Sequence, residues 1–405
     1  MNILLKNRNF ALLWSGQSVS SLGTWINFVG LNAYIYHLTG SGKILGTFFL
    51  IRILPALFFG SLGGILADRY DKRIIMILCD AVRAVTVLAF VVTDNLAAFF
   101  IIGFILSSLD KIYLAASGAL VPDIVKKDDI LASNSLSRMS YSVITVFGPA
   151  IGGVLIGFWG YKAVFVIDSA TFFFSVATLL LISHGARRTG EAKEQVKTSV
   201  ADELRDTFRF LAGSTVLLTF TLLRVLDGLG SGSYNTIMPV FAASVPMGQG
   251  SFYGYLIAFW GGGTFLGSLL VTYLRKNTAI RTDNLFCGAT ILMACGMGGT
   301  FLTGEKAISL LSITIGGIGD GISSVLFNTL LMELPPKELR GKIFGSISSL
   351  FYVVAGTGMF LAGLCLDYVK YVHITTAGSL LIIAGTLVVW WILMATRRKE
   401  HKTPQ

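Results

Sequence analysis

The sequence predicts an all-α polytopic membrane protein, and three observations predict it. Of its 405 residues, 54% are hydrophobic and only 13% charged, about half the charged share of an ordinary soluble domain. Most of the chain is taken up by twelve apolar segments, each long enough for the roughly 20 residues that cross a bilayer. The 32 Lys and Arg residues fall in alternate loops. Twenty-four lie on the side that holds both termini, Arg138 at the very start of the fifth span counted with them, four in the opposite loops, and four (Arg52, Arg83, Lys111 and Arg224) deeper inside spans. This is the positive-inside pattern, which places both termini in the cytoplasm and points to a multi-pass protein of the cell inner membrane. It also accounts for the net charge of +10 without a nucleic-acid partner; the partners expected are the lipid bilayer and a small-molecule substrate.

In chain order, the basic start at Met1 to Arg8 precedes an apolar run too long for a signal-peptide core and without a small-residue cleavage site, so it is expected to stay as the first span. Spans are predicted near 10–36, 44–67, 74–92, 96–121, 134–158 and 161–183, then near 215–242, 252–274, 282–302, 307–331, 343–366 and 373–396. Between the two sets lies a polar stretch with Arg187, Arg188, Glu191, Lys193, Glu194 and Lys197, suited to a cytoplasmic linker. Near its end Ser199 and Asp202 resemble a capping box, and Leu204, Phe208 and Leu211 share a helical face, which predicts a short amphipathic helix. The expected organisation is a six-helix bundle at 1–185, a linker at 186–213, a second six-helix bundle at 214–396 and a tail at 397–405. Two short echoes suggest a pseudo-repeat: Phe59 to Leu62 against Leu266 to Leu269, and Pro122-Asp123 against Glu333, Pro335 and Pro336.

Enzymatic machinery is missing. Gly42-Lys43 lacks the rest of a phosphate-binding loop, the four histidines sit at loop edges, and neither H-E-x-x-H nor G-x-S-x-G occurs. The four cysteines lie in apolar stretches without metal-ligand spacing. No cofactor or metal is expected, and a proton gradient is the expected energy source.

The informative residues are polar groups inside spans. Gln17, Ser21, Thr24 and Asn27 recur on one face of span one; Ser107, Asp110, Lys111 and Ser117 share a side of span four. Thr221, Arg224, Asp227, Ser231 and Asn235 do so in span seven, and Gly316, Asp320, Ser324 and Asn328 in span ten. Two readings stay open for the uncharged members, a water-filled substrate path and plain hydrogen bonding between helices. Asp110, Asp227 and Asp320 lie about fourteen residues into their spans, near mid-membrane at ~1.5 Å per residue, where a carboxylate can take up and release a proton. Arg224 and Asp227 are spaced to pair, as a static ion pair or as part of coupling; Asp110 and Lys111, adjacent in sequence, are expected to point apart. Asp168 and Arg52 suit helix packing as well as function.

Between spans two and three runs Gly60 to Arg73, with Gly64, Asp68, Arg69, Lys72 and Arg73 in a spacing that resembles the loop signature of the major facilitator superfamily. Asp71 stands where that family usually has glycine, at a turn expected to tolerate it with some cost. The resemblance implies that Asp68 helps hold the outward-facing state closed on the cytoplasmic side. Lys72 and Arg73 can equally serve topology alone, and Asp80 and Arg83, one turn apart, could extend the same charge network. Gly148, Pro149, Gly152 and Gly153 in span five resemble the antiporter motif of the superfamily; proline removes a backbone donor and the glycines permit close helix approach. Leu120 to Val125, Leu131 to Ser135 and Ile167 to Phe172 resemble the macrolide-efflux and enterobactin-exporter branch.

The resemblance implies the major facilitator fold and a monomer. The expectation is therefore a non-enzymatic secondary transporter that exports hydrophobic or amphiphilic small molecules, including drugs, by alternating access and proton antiport. Proton-coupling candidates are Asp110, Asp227 and Asp320, and cavity candidates are Gln17, Thr24, Asn27, Lys111, Arg224, Ser231, Asn235 and Asn328. Export of an endogenous siderophore or lysolipid is the alternative, with nutrient symport behind it.

Overall fold

The first four backbone N–H groups of a helix have no acceptor inside it, and polar side chains at the loops supply them here. In the computed structural model, which describes residues 4, 6–183, 209–211, 213–245, 249–277 and 280–400, α1 (Arg8–Thr39) opens on Asn7, whose side chain accepts from Phe10 N at 3.0 Å. It closes on Gly40 at φ 61°, the left-handed conformation that glycine adopts at least cost. α2 (Gly42–Arg69) leads to Asp71, which caps α3 (Lys72–Val92); Asn95 caps α4 (Leu96–Ile124) in the same way. A 3₁₀ turn, Lys127–Asp129, precedes α5 (Ile130–Trp159), and α6 (Tyr161–Leu180) follows. Ser214 caps α7 (Thr215–Ser244). Then come α8 (Gln249–Asn277), α9 (Thr282–Thr300), α10 (Lys306–Glu333), α11 (Lys337–Leu366) and α12 (Tyr371–Glu400).

These twelve helices coincide with the twelve predicted spans to within a few residues at most ends, and no strand occurs among the described residues. Eight of them are long and apolar enough to cross a membrane on length and composition alone. α1 is not among the eight because Gln17, Ser18, Ser20, Ser21, Thr24 and Asn27 dilute its apolar surface. Pro55, Pro122, Pro149 and Pro239 lie inside helices that continue through them, as membrane helices allow where neighbours satisfy the freed carbonyls. The predicted linker helix falls largely outside the described residues; 209–211 are helical and Leu211 is buried.

The chain forms two compact units. The first comprises Met1–Gly40, Thr47–Gln195 and Pro246–Ala258, the second Ser41–Gly46, Val196–Val245 and Phe259–Gln405. In the first, α1 packs on α5 and α6, and α3 on α4 and α6. In the second, α7 packs on α11 and α12, and α9 on α10 and α12. Adding six to each helix number of the first pattern gives the second, which is the internal duplication that the short sequence echoes suggested. Leu13, Met76, Cys79, Ala116, Leu120 and Leu179 form a core in the first unit. Leu217, Phe220, Phe286, Leu326, Ile343 and Leu393 do so in the second, with the rings of Phe220 and Phe286 stacked at 4.0 Å.

Candidate functional site

A charge inside a helix bundle within a bilayer has to be paired or neutralised, so the in-span charges are the candidates for a functional site. In the first unit, Asp80 and Arg83 lie one turn apart on α3, and Asp110 and Lys111 on α4. Arg83 bridges two carboxylates: Nη1 reaches Asp80 Oδ1 at 3.0 Å and Nη2 reaches Asp110 Oδ1 at 2.9 Å. Its guanidinium lies over the Phe172 ring at 4.5 Å and the Tyr113 ring at 5.5 Å, an arrangement that suits its flat, weakly hydrated cation. Lys111 Nζ stands 3.2 Å from Asp110 Oδ2. The expectation that Asp110 and Lys111 point apart is thus corrected, because the four-carbon stem lets the ammonium fold back onto its neighbour. Asp80 and Arg83 pair with each other, and Arg83 pairs with Asp110 on α4.

The second unit repeats the arrangement with different helices. Arg224 Nη1 on α7 reaches Asp227 Oδ2 at 2.8 Å on its own helix and Asp320 Oδ1 at 3.2 Å on α10. Arg224 Nη2 donates to Ser324 Oγ at 2.7 Å, and Ser324 in turn donates to Asp320 Oδ1 at 3.1 Å. Ser231 donates to Asp227 Oδ1 at 2.8 Å, Asn235 donates to the Ser231 carbonyl, and the guanidinium faces Phe351 at 5.4 Å. Each unit therefore holds one arginine between two aspartates, one three residues away on its own helix and one on the fourth or tenth helix.

Charge separates the two clusters. Asp80, Arg83, Asp110 and Lys111 balance. Asp227, Arg224 and Asp320 carry one excess negative charge, and among the described residues α7 to α12 hold no further cation near mid-span to offset it. Asp227 is 2% exposed, so that excess sits away from water and a proton on either carboxyl removes it.

The other predicted residues divide. Gln17 hydrogen-bonds Ser117, joining α1 to α4, and Asn27 donates to Asp168 on α6. Thr24 donates to the Ser20 carbonyl of its own helix, and Asn328 is exposed. Arg52 Nε donates to Ser107 Oγ at 3.5 Å and lies near Phe48. At the loop signature, Asp71 has φ −62° and ψ 114° and accepts from Arg73 N and Ile74 N. Glycine is not needed there, since the position calls for a helix cap and not a left-handed turn, so the expected cost is corrected to a gain. Lys72 pairs with Asp123 at the end of α4, and Arg73 donates to the Leu179 and Leu180 carbonyls that end α6. Both basic residues thus tie separate helices of the fold together. Asp68 and Arg69 are exposed. Gly148 faces Trp25, Gly152 lies against the Ile26 backbone, and a Cβ on Gly153 would stand 2.8 Å from Gly254 Cα, so α5 uses its glycines for close approach. Sequence spacing alone missed the Asp123 and Phe172 contacts, which join residues far apart in the chain.

A duplicated six-plus-six helical bundle with buried arginine–aspartate clusters has known relatives. Residues 4–404 match the family described as transmembrane secretion effector. The chain belongs to this family of major facilitator transporters. It is 26% identical over 388 residues to the uncharacterized MFS-type transporter YfiS of Bacillus subtilis, covering 93% of this chain and 91% of that one. Against macrolide efflux protein A of Streptococcus pyogenes the identity is 22%, covering 94% and 93%, and against the enterobactin exporter EntS of Citrobacter koseri it is 22%, covering 86% and 83%. The crystal structure of nucleoside transporter NupG superposes with a TM-score of 0.71 at 16% identity, covering 96% of this chain and 98% of that one, which establishes the shared fold. The protein is accordingly a multi-pass membrane transporter and not an enzyme.

Proposed function

We propose that this transporter exports a hydrophobic or amphiphilic small molecule across the cell membrane, with both termini in the cytoplasm, in exchange for a proton taken up by the Asp227–Arg224–Asp320 cluster. The observation that carries the coupling site is the single uncompensated negative charge at that cluster, beside a balanced counterpart in the first unit. Two carboxylates sharing one guanidinium can exchange a proton locally, and Ser231 donates its hydroxyl to one oxygen of Asp227 as Ser324 does to one of Asp320. Export is favoured by the relatives named for macrolide efflux and enterobactin export. One proton moving down 100 mV supplies about 2.3 kcal/mol, enough for a roughly fifty-fold gradient of a neutral substrate. In alternating access, Asp68 is the residue the loop signature assigns as the cytoplasmic latch.

Everted membrane vesicles offered cationic, neutral and anionic amphiphiles test this reading. Acidifying the lumen should drive uptake of one class in the wild type. Asp227→Asn and Asp320→Asn should each retain downhill exchange while losing the response to the pH gradient, and Asp110→Asn should retain that response. Preference for anionic, siderophore-like compounds would assign the endogenous export reading, and pH-driven movement in the opposite direction would refute export.

A further inference from the structure

The clusters above do not use Asp168, and its surroundings are unlike those of the other in-span carboxylates. It lies midway along α6 and is 2% exposed. No lysine or arginine is ion-paired with it among the described residues. Its one side-chain partner is the neutral amide of Asn27 on α1, which donates to Oδ2. Oδ1 has no hydrogen-bond partner and is packed against α1, where a Cβ on Gly23 would stand 2.8 Å from it; Asn27 Oδ1 is unpartnered too. The charged groups around it are already engaged. On α3, Arg83 is shared between Asp80 and Asp110; on α2, Arg52 is bonded to Ser107; α1 presents only the uncharged Asn27, and α5 presents no charged group to it.

From this geometry we propose that Asp168 is a second proton-binding site, which holds its proton while α1 and α6 are packed as seen here and loses it only when that seam opens. An ionised carboxylate in this position would be a buried charge with one neutral donor, the arrangement proteins avoid. A proton makes the group neutral and turns one orphaned acceptor into a donor. Asn27, with an orphaned carbonyl oxygen on the amide already in contact, is the acceptor at hand; which way that amide is turned is set by this proton. Gly23 leaves room for the carboxyl against the backbone of α1 and none for a counterion. The seam between α1 and α6 is then a pH-sensitive lock: water or a cation must reach Asp168 before it can ionise. The inference is independent of substrate and of the direction of transport.

Infrared spectra of the purified protein in lipid at neutral pH, with each variant subtracted from its parent, test it through the C=O stretch of protonated carboxyls. The Asp227→Asn background is used, since the second-unit cluster needs no proton there. In that background a protonated-carboxyl band should persist at neutral pH and vanish when Asp168→Asn is added. The added amide should fold normally, because two facing amides satisfy each other. Asn27→Ala should leave the band present but shifted to higher frequency, as the hydroxyl loses its acceptor, and this variant carries the test if Asp168→Asn does not fold. A band of unchanged intensity in Asp168→Asn, or the absence of any band in the Asp227→Asn background, would overturn the assignment. Failure of Asp227→Asn to reduce the wild-type band would instead count against the coupling site in the second unit, so the two proposals fail separately.

Discussion

Arg224 makes a quantitative prediction because it is held by two carboxylates, either of which can serve alone. In Asp227→Asn the arginine keeps Asp320 at 3.2 Å, and in Asp320→Asn it keeps Asp227 at 2.8 Å. Each single variant exchanges one charge-assisted hydrogen bond for a neutral one, about 1 kcal/mol, and at the same time removes the excess negative charge. Each should therefore be nearly as stable as the wild type. The double variant leaves the guanidinium alone near mid-membrane, where an unpaired charge costs about 3 kcal/mol on insertion scales and loss of a buried partner about 3–5 kcal/mol. The expected coupling in the double-mutant cycle is then about 2–4 kcal/mol. Reversible unfolding in mixed micelles of rising SDS content, followed by circular dichroism, measures it. Adding Arg224→Met to the double variant should restore most of the loss, since an apolar group of similar length replaces the stranded cation. Additivity of the two single substitutions within about 0.5 kcal/mol, or no recovery in the triple variant, would refute the charge balance.

Three further outcomes follow from local geometry. Asp71→Ala should lower stability by about 1 kcal/mol through loss of the α3 cap, and Asp71→Gly by only a few tenths of that unit, the order expected for a cap and opposite to that of a left-handed turn; the same unfolding assay ranks them. Arg73→Ala should cost about 1–3 kcal/mol by stripping two carbonyls at the end of α6 of a charged donor, with hydrogen exchange rising first at Leu179 to Ile182. Gly153→Val should cost about 1–3 kcal/mol by forcing α5 away from Gly254, and a cysteine cross-linking rate between flanking positions 150 and 255 should fall with it.

The helices were legible in the sequence because a membrane span announces itself by length and apolarity. Their caps were not: Asn7, Asp71, Asn95 and Ser214 start the helices they precede, whereas the expectation at Asp71 was a turn with some cost. The Arg224–Asp227 pair was legible too, since i,i+3 spacing on one helix fixes proximity. Pairings between helices were not. Nothing local to Lys72 indicates Asp123, fifty-one residues away, and nothing local to Arg83 indicates Asp110 on α4 or the Phe172 ring on α6. The polar stripe of α1 was visible as a face, yet its members part company once packed: Gln17 and Asn27 reach other helices while Thr24 turns back on its own backbone. Periodicity specifies a direction from the helix axis, and only the neighbour's sequence decides what waits there.

The duplicated helix pairing explains why the charge clusters resemble each other and also why they can differ in function. In both units the fourth-position helix, α4 or α10, brings an aspartate to an arginine from a neighbouring helix. The arginine comes from α3 in one and α7 in the other, so the two clusters are not copies of one ancestral pair but similar solutions on equivalent scaffolds. Once Lys111 joins the first cluster, protonating Asp110 would leave an excess positive charge, whereas protonating either carboxyl of the second removes an excess negative one. The same step is therefore opposed electrostatically in one unit and favoured in the other. Placing a cation beside Asp320 should abolish this difference: Leu326→Lys lies too far along α10, but Ser324→Lys sits one turn from Asp320 at the hydroxyl that now bridges it to Arg224. That variant should bind no proton at the second cluster at neutral pH and should transport without response to a pH gradient, the outcome also expected of Asp227→Asn; a pH-driven Ser324→Lys transporter would show that net charge is not what selects the site.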